Sequence, residues 1–391
     1  MSSDGGLPVT RLAARRGGLL ACVFAATVAL CLPTMALAAD PTPDADGGEE
    51  KTRLRVGMQG QLRFRAGPAA DDPATGVDEG QEPAVQEIVL QRLRLRVRAR
   101  HEDYVAKMTF AVDRGKPRLL TGSLRRDLGR HLHVEVGQTK RLLAQAYIDG
   151  SAHQRLIERP RLTESFAGER DIGTVLTLQS ADRRMQAHIA AWNGAGPNVV
   201  GNRTGAILGE VRLDLQLFDR LDLEQPTIGK RLAVRLGVAG AAGRRAAERS
   251  DNNGLLTRYD ETLAASGALA VRFARVEWRT EALWTSAAPV DARTVRATPL
   301  DLSTVAHLGL YSQLAVQPAK RWQLAVRGER HHRDRDDPSA VDDILDVGIT
   351  YRPKSDDRRK LQIGWQHRWL GRPLDAVRIE DRFEMQLQWM L

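Results

Sequence analysis

Between Ile88 and Arg100 the chain reads IVLQRLRLRVRAR, with a basic side chain at every second position from Arg92 through Arg94, Arg96 and Arg98 to Arg100. In an extended strand that spacing puts five guanidinium groups on one face and Leu93, Leu95, Val97 and Ala99 on the other. Guanidinium stays charged at any physiological pH, and its planar fork of donors suits the oxygens of phosphate and carboxylate. The chemistry on offer is therefore repeated, reversible anion binding rather than bond making. A soluble core has no use for the charged row, and open water has none for the apolar one. A wall with hydrocarbon on one flank and ion-bearing water on the other satisfies both.

Other side chains that could do chemistry give less. His331, His332, Arg333 and Asp334 are read as lying in a polar loop without spaced partners. His131 and His133 share a face with Glu135, and wet histidines in a charged interior explain them. Phosphate-cradling glycine loops and nucleic-acid motifs are absent from the sequence after residue 38. No metal, cofactor, catalytic group or nucleic-acid partner is therefore expected.

The elements that must position the arginines follow from the rest of the chain. Arg11, Arg15 and Arg16, the apolar run Gly17 to Leu32 and the small residues around Ala36-Leu37-Ala38 make residues 1–38 a secretory signal, cleaved after Ala38. Both cysteines, Cys22 and Cys31, fall inside it, so disulfides and thiolate metal sites are excluded from the exported chain. Losing three arginines and Asp4 lowers the net charge from +9 to +7, a balance that favours anionic partners. Residues 39–52 are acidic and rich in proline and glycine, and read as a flexible periplasmic segment. Mean hydropathy is −0.36 with 42% hydrophobic residues, which a barrel shares with soluble proteins because its two faces cancel in any window.

From Leu54 to Leu391 a period of two recurs. Counting the weakly patterned stretch Lys116 to Arg125, sixteen strands are expected, and residues 53–391 form one antiparallel transmembrane β-barrel. Ala274-Arg275 and Pro318-Ala319-Lys320 read as tight turns on one side. Ala241 to Glu261, Ser286 to Thr304 and His331 to Asp343 read as long polar loops on the other. Arg141 to Glu169 breaks the alternation for too long to be an ordinary connection and is expected to fold inward as a constriction. Trp278, Trp284, Trp322, Trp365, Trp389 and Tyr351 fall on the apolar register, several near strand ends where a membrane interface selects such rings. Inward positions include Arg63 and Lys107 among a mixture of both signs, most of which are expected to pair across strands.

At Val136-Gly137-Gln138-Thr139-Lys140, Ile157-Glu158-Arg159-Pro160, Phe166 to Gly173 and Trp192 to Asn198, the chain resembles the phosphate-selective porins O and P. The resemblance implies a sixteen-stranded homotrimeric outer-membrane channel in the lipid bilayer. Lys140 and Arg141 would then enter the constriction, and Arg92 to Arg100 would lead anions inward. Thr139 and Arg141-Leu142-Leu143 depart from the family's Phe and Pro-Phe, and Leu391 replaces the usual terminal aromatic, so its phosphate site is not carried over. The expected activity is passive diffusion of small anions, phosphate or polyphosphate among them. Two rivals stay open at this stage: a barrel acting through its long loops as a surface enzyme or adhesin, and a soluble periplasmic β-sandwich that binds acidic polymers.

Overall fold

The computed structural model describes residues 52–391 apart from 69–83, 114, 164–169, 200–206, 222–230, 249–256, 292–304, 334, 336–339, 355–356 and 372–377. The signal and most of the acidic segment expected before the first strand lie outside the described residues. Sixteen strands follow in chain order: β1 Arg53–Pro68, β2 Ala84–His101, β3 Tyr104–Asp113, β4 Lys116–Asp127, β5 Leu132–Lys140, β6 Arg170–Gln179, β7 Met185–Trp192 and β8 Leu208–Phe218. The second half comprises β9 Ala233–Glu248, β10 Thr257–Phe273, β11 Val276–Asp291, β12 Val305–Ala319, β13 Trp322–His332, β14 Val341–Tyr351, β15 Arg359–Leu370 and β16 Arg378–Met390. Each pairs antiparallel with its neighbours, and β1 pairs with β16, closing the sheet. The weakly patterned stretch is β4, and the β-sandwich reading is overturned because the sheet closes on itself.

Parity decides which side chains meet which solvent. Along β13 the burial alternates strictly, Gln323, Ala325, Arg327 and Glu329 turning inward while Trp322, Leu324, Val326 and Arg330 turn outward. Exposed apolar side chains girdle the outside, from Val56 on β1 through Leu95, Phe110, Val211 and Leu310 to Leu387 on β16. Charged and amide side chains fill the inside, so an apolar exterior encloses a polar interior, the arrangement lipid demands of a spanning sheet. Closure is tight: Met58 N donates to Leu391 O at 3.2 Å and Leu391 N to Met58 O at 2.9 Å. Beside that seam Trp389 lies flat over Gly60, where any side chain would collide with the indole.

The wall is uneven in height. β3 to β7 have 10, 12, 9, 10 and 8 residues, whereas β9, β10 and β11 have 16, 17 and 16. This corrects the expected loop Ala241 to Glu261, because β9 and β10 stay paired from Ala241↔Ala264 up to Glu248↔Thr257. Charged residues such as Arg244 and Glu261, 3.6 Å apart across the strands, mark the sheet's passage out of hydrocarbon rather than its end. Similarly, β11 extends to Asp291. His331 and His332 close β13 instead of lying in a polar loop, and His331 is buried with its ring 6.4 Å from that of His307.

Candidate functional site: the barrel interior

A β-bulge sets the phase of the arginine strand. Gln61 faces Arg92 while Leu62 already faces Leu90, leaving Gln91 as the extra residue, after which the alternation runs without interruption to the turn at His101. Arg94, Arg96, Arg98 and Arg100 stand opposite Gln59, Gly57, Arg55 and Arg53 of β1, and Arg98 also stands opposite Lys107 of β3. All five face the interior. They are not equivalent: Arg92 and Arg94 sit deep, where Arg92 donates to Gln61 Oε1 at 2.8 Å and Arg94 to Ser151 Oγ at 2.8 Å and Asp113 Oδ2 at 3.0 Å. Arg96, Arg98 and Arg100 are exposed toward the short-turn end, Arg96 touching Gln59 Oε1 at 2.5 Å and Arg100 touching Asp127 at 2.9 Å. Lys107 pairs with Glu135 at 2.8 Å.

Facing this wall is the segment that follows β5. Residues 141–163 fold into the barrel as a helical turn α1, Gln145–Ile148, then a 3-10 turn, Ser151–His153, and extended stretches; none of these residues is exposed. A chain buried this way must pair its backbone polar groups, and here wall side chains supply the partners. Glu210 of β8 accepts Arg141 Nε at 2.7 Å, Leu142 N at 2.9 Å and Trp192 Nε1 at 2.8 Å. Glu281 of β11 accepts the amides of Gln145 at 2.6 Å and Ala146 at 3.1 Å, and Glu329 of β13 accepts that of Arg161 at 2.7 Å. Carbonyls are met by cations and amides: Lys140 on Tyr147 O at 2.9 Å, Lys360 on Gln154 O at 3.0 Å, Gln388 on Ala152 O at 3.1 Å and Arg327 on Glu158 O at 3.0 Å.

Apolar packing fixes the rest of the loop. Leu143, Tyr147 and Leu162 pack with Val175, Trp192, Leu208, Leu283 and Tyr311, where inward alanines such as Ala241 and Ala264 leave room. Leu156 packs with Ala315 and Ala325, and a side chain on Gly348 would come within 2.7 Å of it. At the short-turn end Asp357, after β14, binds Arg352 at 2.7 Å and His153 at 3.1 Å. Burial would raise its pKa, but Lys360, His153, Arg352 and Arg155 overcome that and hold the carboxyl below the usual carboxylate range. Among the described residues the loop's anchors lie on every strand except β3 and β4. The lumen faces of β3 and β4 carry partly exposed side chains, Lys107 and Arg125 among them.

Three of the residues expected in the anion pathway are enclosed by loop and wall partners. Arg63 is fully buried, ion-paired to Glu158 and 3.5 Å from Glu384. Lys140 caps carbonyls of α1, and Arg141 is buried against Glu210. In each case a low-dielectric site holds the cation only because acceptors surround it. The residues that carried the family resemblance also meet as scaffolding: Gln138 donates to Leu119 O at 2.7 Å and accepts from Asn198 N at 2.6 Å, and Asp171 accepts Ile172 N at 2.8 Å. The Phe166 to Glu169 part of that pattern lies outside the described residues. The inward charges of both signs are expected from the sequence to pair across strands, whereas Glu210, Glu281 and Glu329 receive donors from the loop. Cross-strand and neighbour pairing is indeed common elsewhere, as in Arg327 with Asp346 at 2.6 Å.

A closed sixteen-stranded sheet with an apolar girdle, a charged interior and an inward loop defines an outer-membrane β-barrel of the porin architecture. Solved structures share it. OmpT of Vibrio cholerae has 10% identity and a TM-score of 0.56 over 89% of this chain and 100% of that one. The same protein in its trimer form has 12% identity and a TM-score of 0.56 over 86% and 99%. The outer membrane channel DcaP of Acinetobacter baumannii has 11% identity and a TM-score of 0.54 over 87% and 97%. At these identities the likeness is one of fold. No protein-family model and no curated protein matches the sequence.

Proposed function

We propose that the protein is a passive channel of the outer membrane for small anions, phosphate among them, working as a homotrimer without covalent chemistry or cofactor. One observation carries the reading: a loop with no exposed residue among 141–163 packs against every strand except β3 and β4, while Arg96, Arg98 and Arg100, on the β2 face beside those two strands, stay exposed. Permeating ions then pass beside the β2 to β4 wall, where Arg96, Arg98 and Arg100 offer adjacent, exposed guanidinium groups. Conduction needs that equivalence, because a single tight site would hold its anion. Fixed positive charge in a narrow, partly low-dielectric slot raises local anion concentration and lowers the entry barrier. The trimer form among the matching solved structures supports the assembly. Purified protein in planar bilayers tests this: steady open steps with reversal potentials favouring chloride or phosphate over potassium are expected. A membrane that stays closed, with ligand binding confined to the long loops, would replace the channel by the surface enzyme or adhesin.

A further inference from the structure

Residues 141–163 contain two acids, Asp149 and Glu158. Asp149 is buried on the far side of the loop, 3.1 Å from Arg279 Nη1 and 2.7 Å from Gln145 Nε2. Glu158 points the other way, toward the arginine wall, with 22% of its side chain still exposed. Its carboxylate bridges two cations, pairing with Arg63 of β1 and lying 3.9 Å from Arg92 Nη2 of β2. Arg92 opens the guanidinium row at its deep end, beside Arg94, which holds Ser151 of the loop at 2.8 Å.

From this placement we infer that Glu158 is a specificity-determining residue: a tethered counter-ion that lowers the channel's preference for anions at the loop–wall seam. The inference rests on the anion-channel reading above. The carboxylate is held in place rather than swinging free. Arg327 binds the Glu158 carbonyl at 3.0 Å and the Arg159 carbonyl at 3.3 Å, Arg159 Nε binds Ala146 O at 3.1 Å, and Pro160 stiffens the next step. Arg94 is met by Asp113 and Arg100 by Asp127, both from the wall, so of the two acids in residues 141–163 the one that faces the row is Glu158. An entering anion must pass this negative group while a cation is helped by it. The seam thereby limits a selectivity that the exposed arginines nearer the short-turn end would otherwise impose.

Removing the charge need not remove the fold. Arg63 keeps Gln386 Oε1 at 2.7 Å and Glu384 at 3.5 Å, and Glu158→Gln retains an acceptor for it. In bilayers Glu158→Gln should raise the anion-to-cation permeability ratio on the order of threefold, as one unit charge acting across a few ångströms of water-filled pore does. The only cysteines precede the barrel, so Glu158→Cys gives a second series on one folded channel. Labelling it with a sulfonate-bearing, a neutral and a trimethylammonium-bearing thiol reagent should raise anion preference in that order, an ordering that a merely structural role would not produce. Wild type that conducts and responds to charge reversal at Arg96 and Arg98, beside a Glu158 series that leaves the ratio unmoved, overturns this inference alone. Wild type without anion preference, unresponsive at Arg96 and Arg98, overturns the channel reading beneath it.

Discussion

Reversing charge at Arg96 and Arg98 together is the perturbation that bears most directly on the guanidinium row. Both face the interior and are exposed, whereas Arg94 holds Ser151 and Asp113 and its reversal would set two carboxylates side by side. Two residues along a strand lie about 7 Å apart, so an anion between them sits roughly 5 Å from each charge. In water at about 0.1 M salt each contributes roughly 0.5 kcal/mol after screening, and the pair about 1 kcal/mol. Arg96→Glu with Arg98→Glu turns that attraction into equal repulsion, a swing of about 2 kcal/mol or roughly thirtyfold in local anion concentration. Lower dielectric near the wall enlarges the figure, so it is a floor. The assay is reversal potential across a salt gradient, at about 0.1 M and again near 1 M, where a Debye length of about 3 Å should erase most of the difference. A heat-modifiable, correctly assembled variant with the wild-type reversal potential at low salt would show that ions do not pass this row.

Four other outcomes are expected. Leu95→Arg puts a charge on the lipid face and should cost about 2–4 kcal/mol if it lies near the midplane, read as a shift in urea unfolding from liposomes. Glu210→Ala strands Arg141, Leu142 N and Trp192 Nε1 in a buried site and should destabilise the barrel by about 3–5 kcal/mol, seen as a lower temperature of heat modification. Excising Ala144 to Leu162 should raise single-channel conductance severalfold, since this stretch is buried inside the barrel; unchanged conductance would remove it from the pore. For Asp357, whose folded pKa is depressed, the ion-pair stability is present above the unfolded value of about 3.9 and lost as pH falls through the folded one. The melting difference between wild type and Asp357→Asn should therefore hold from pH 7 to about 4 and shrink only in stronger acid.

Much of the barrel was legible in the sequence because alternation is a local property. Each strand must keep hydrocarbon on one flank and water on the other, so Arg92 to Arg100 and Leu93 to Ala99 declare their faces without knowledge of any neighbour. Even β4, where a bulge between Thr109 and Phe110 of its partner blurs the phase, was recoverable from its place in the count. Rim height was not legible. Above the lipid the outward face tolerates charge, and the signal that distinguishes strand from loop disappears, which is why Arg244 and Glu261 read as loop while remaining paired sheet.

The interior resisted sequence reading for a different reason. An inward carboxylate has the same parity whether it faces a neighbouring arginine, as Asp346 faces Arg327, or receives amides from a loop more than a hundred residues away, as Glu281 does. Only the loop's path separates the two roles, and that path follows from where small inward residues leave space: Ala241 and Ala264 beneath Leu143 and Tyr147, Gly348 beneath Leu156. The strands from β8 round to β16 are thus built to receive the plug, spending their carboxylates and amides on its backbone. β3 and β4 give the loop no partner among the described residues, and beside them Arg96, Arg98 and Arg100 of β2 stay exposed. The division explains how one sheet supports two kinds of inward arginine. Those enclosed by acceptors, such as Arg63, hold the inward loop, and those facing solvent are the ones the proposed function assigns to the anion path.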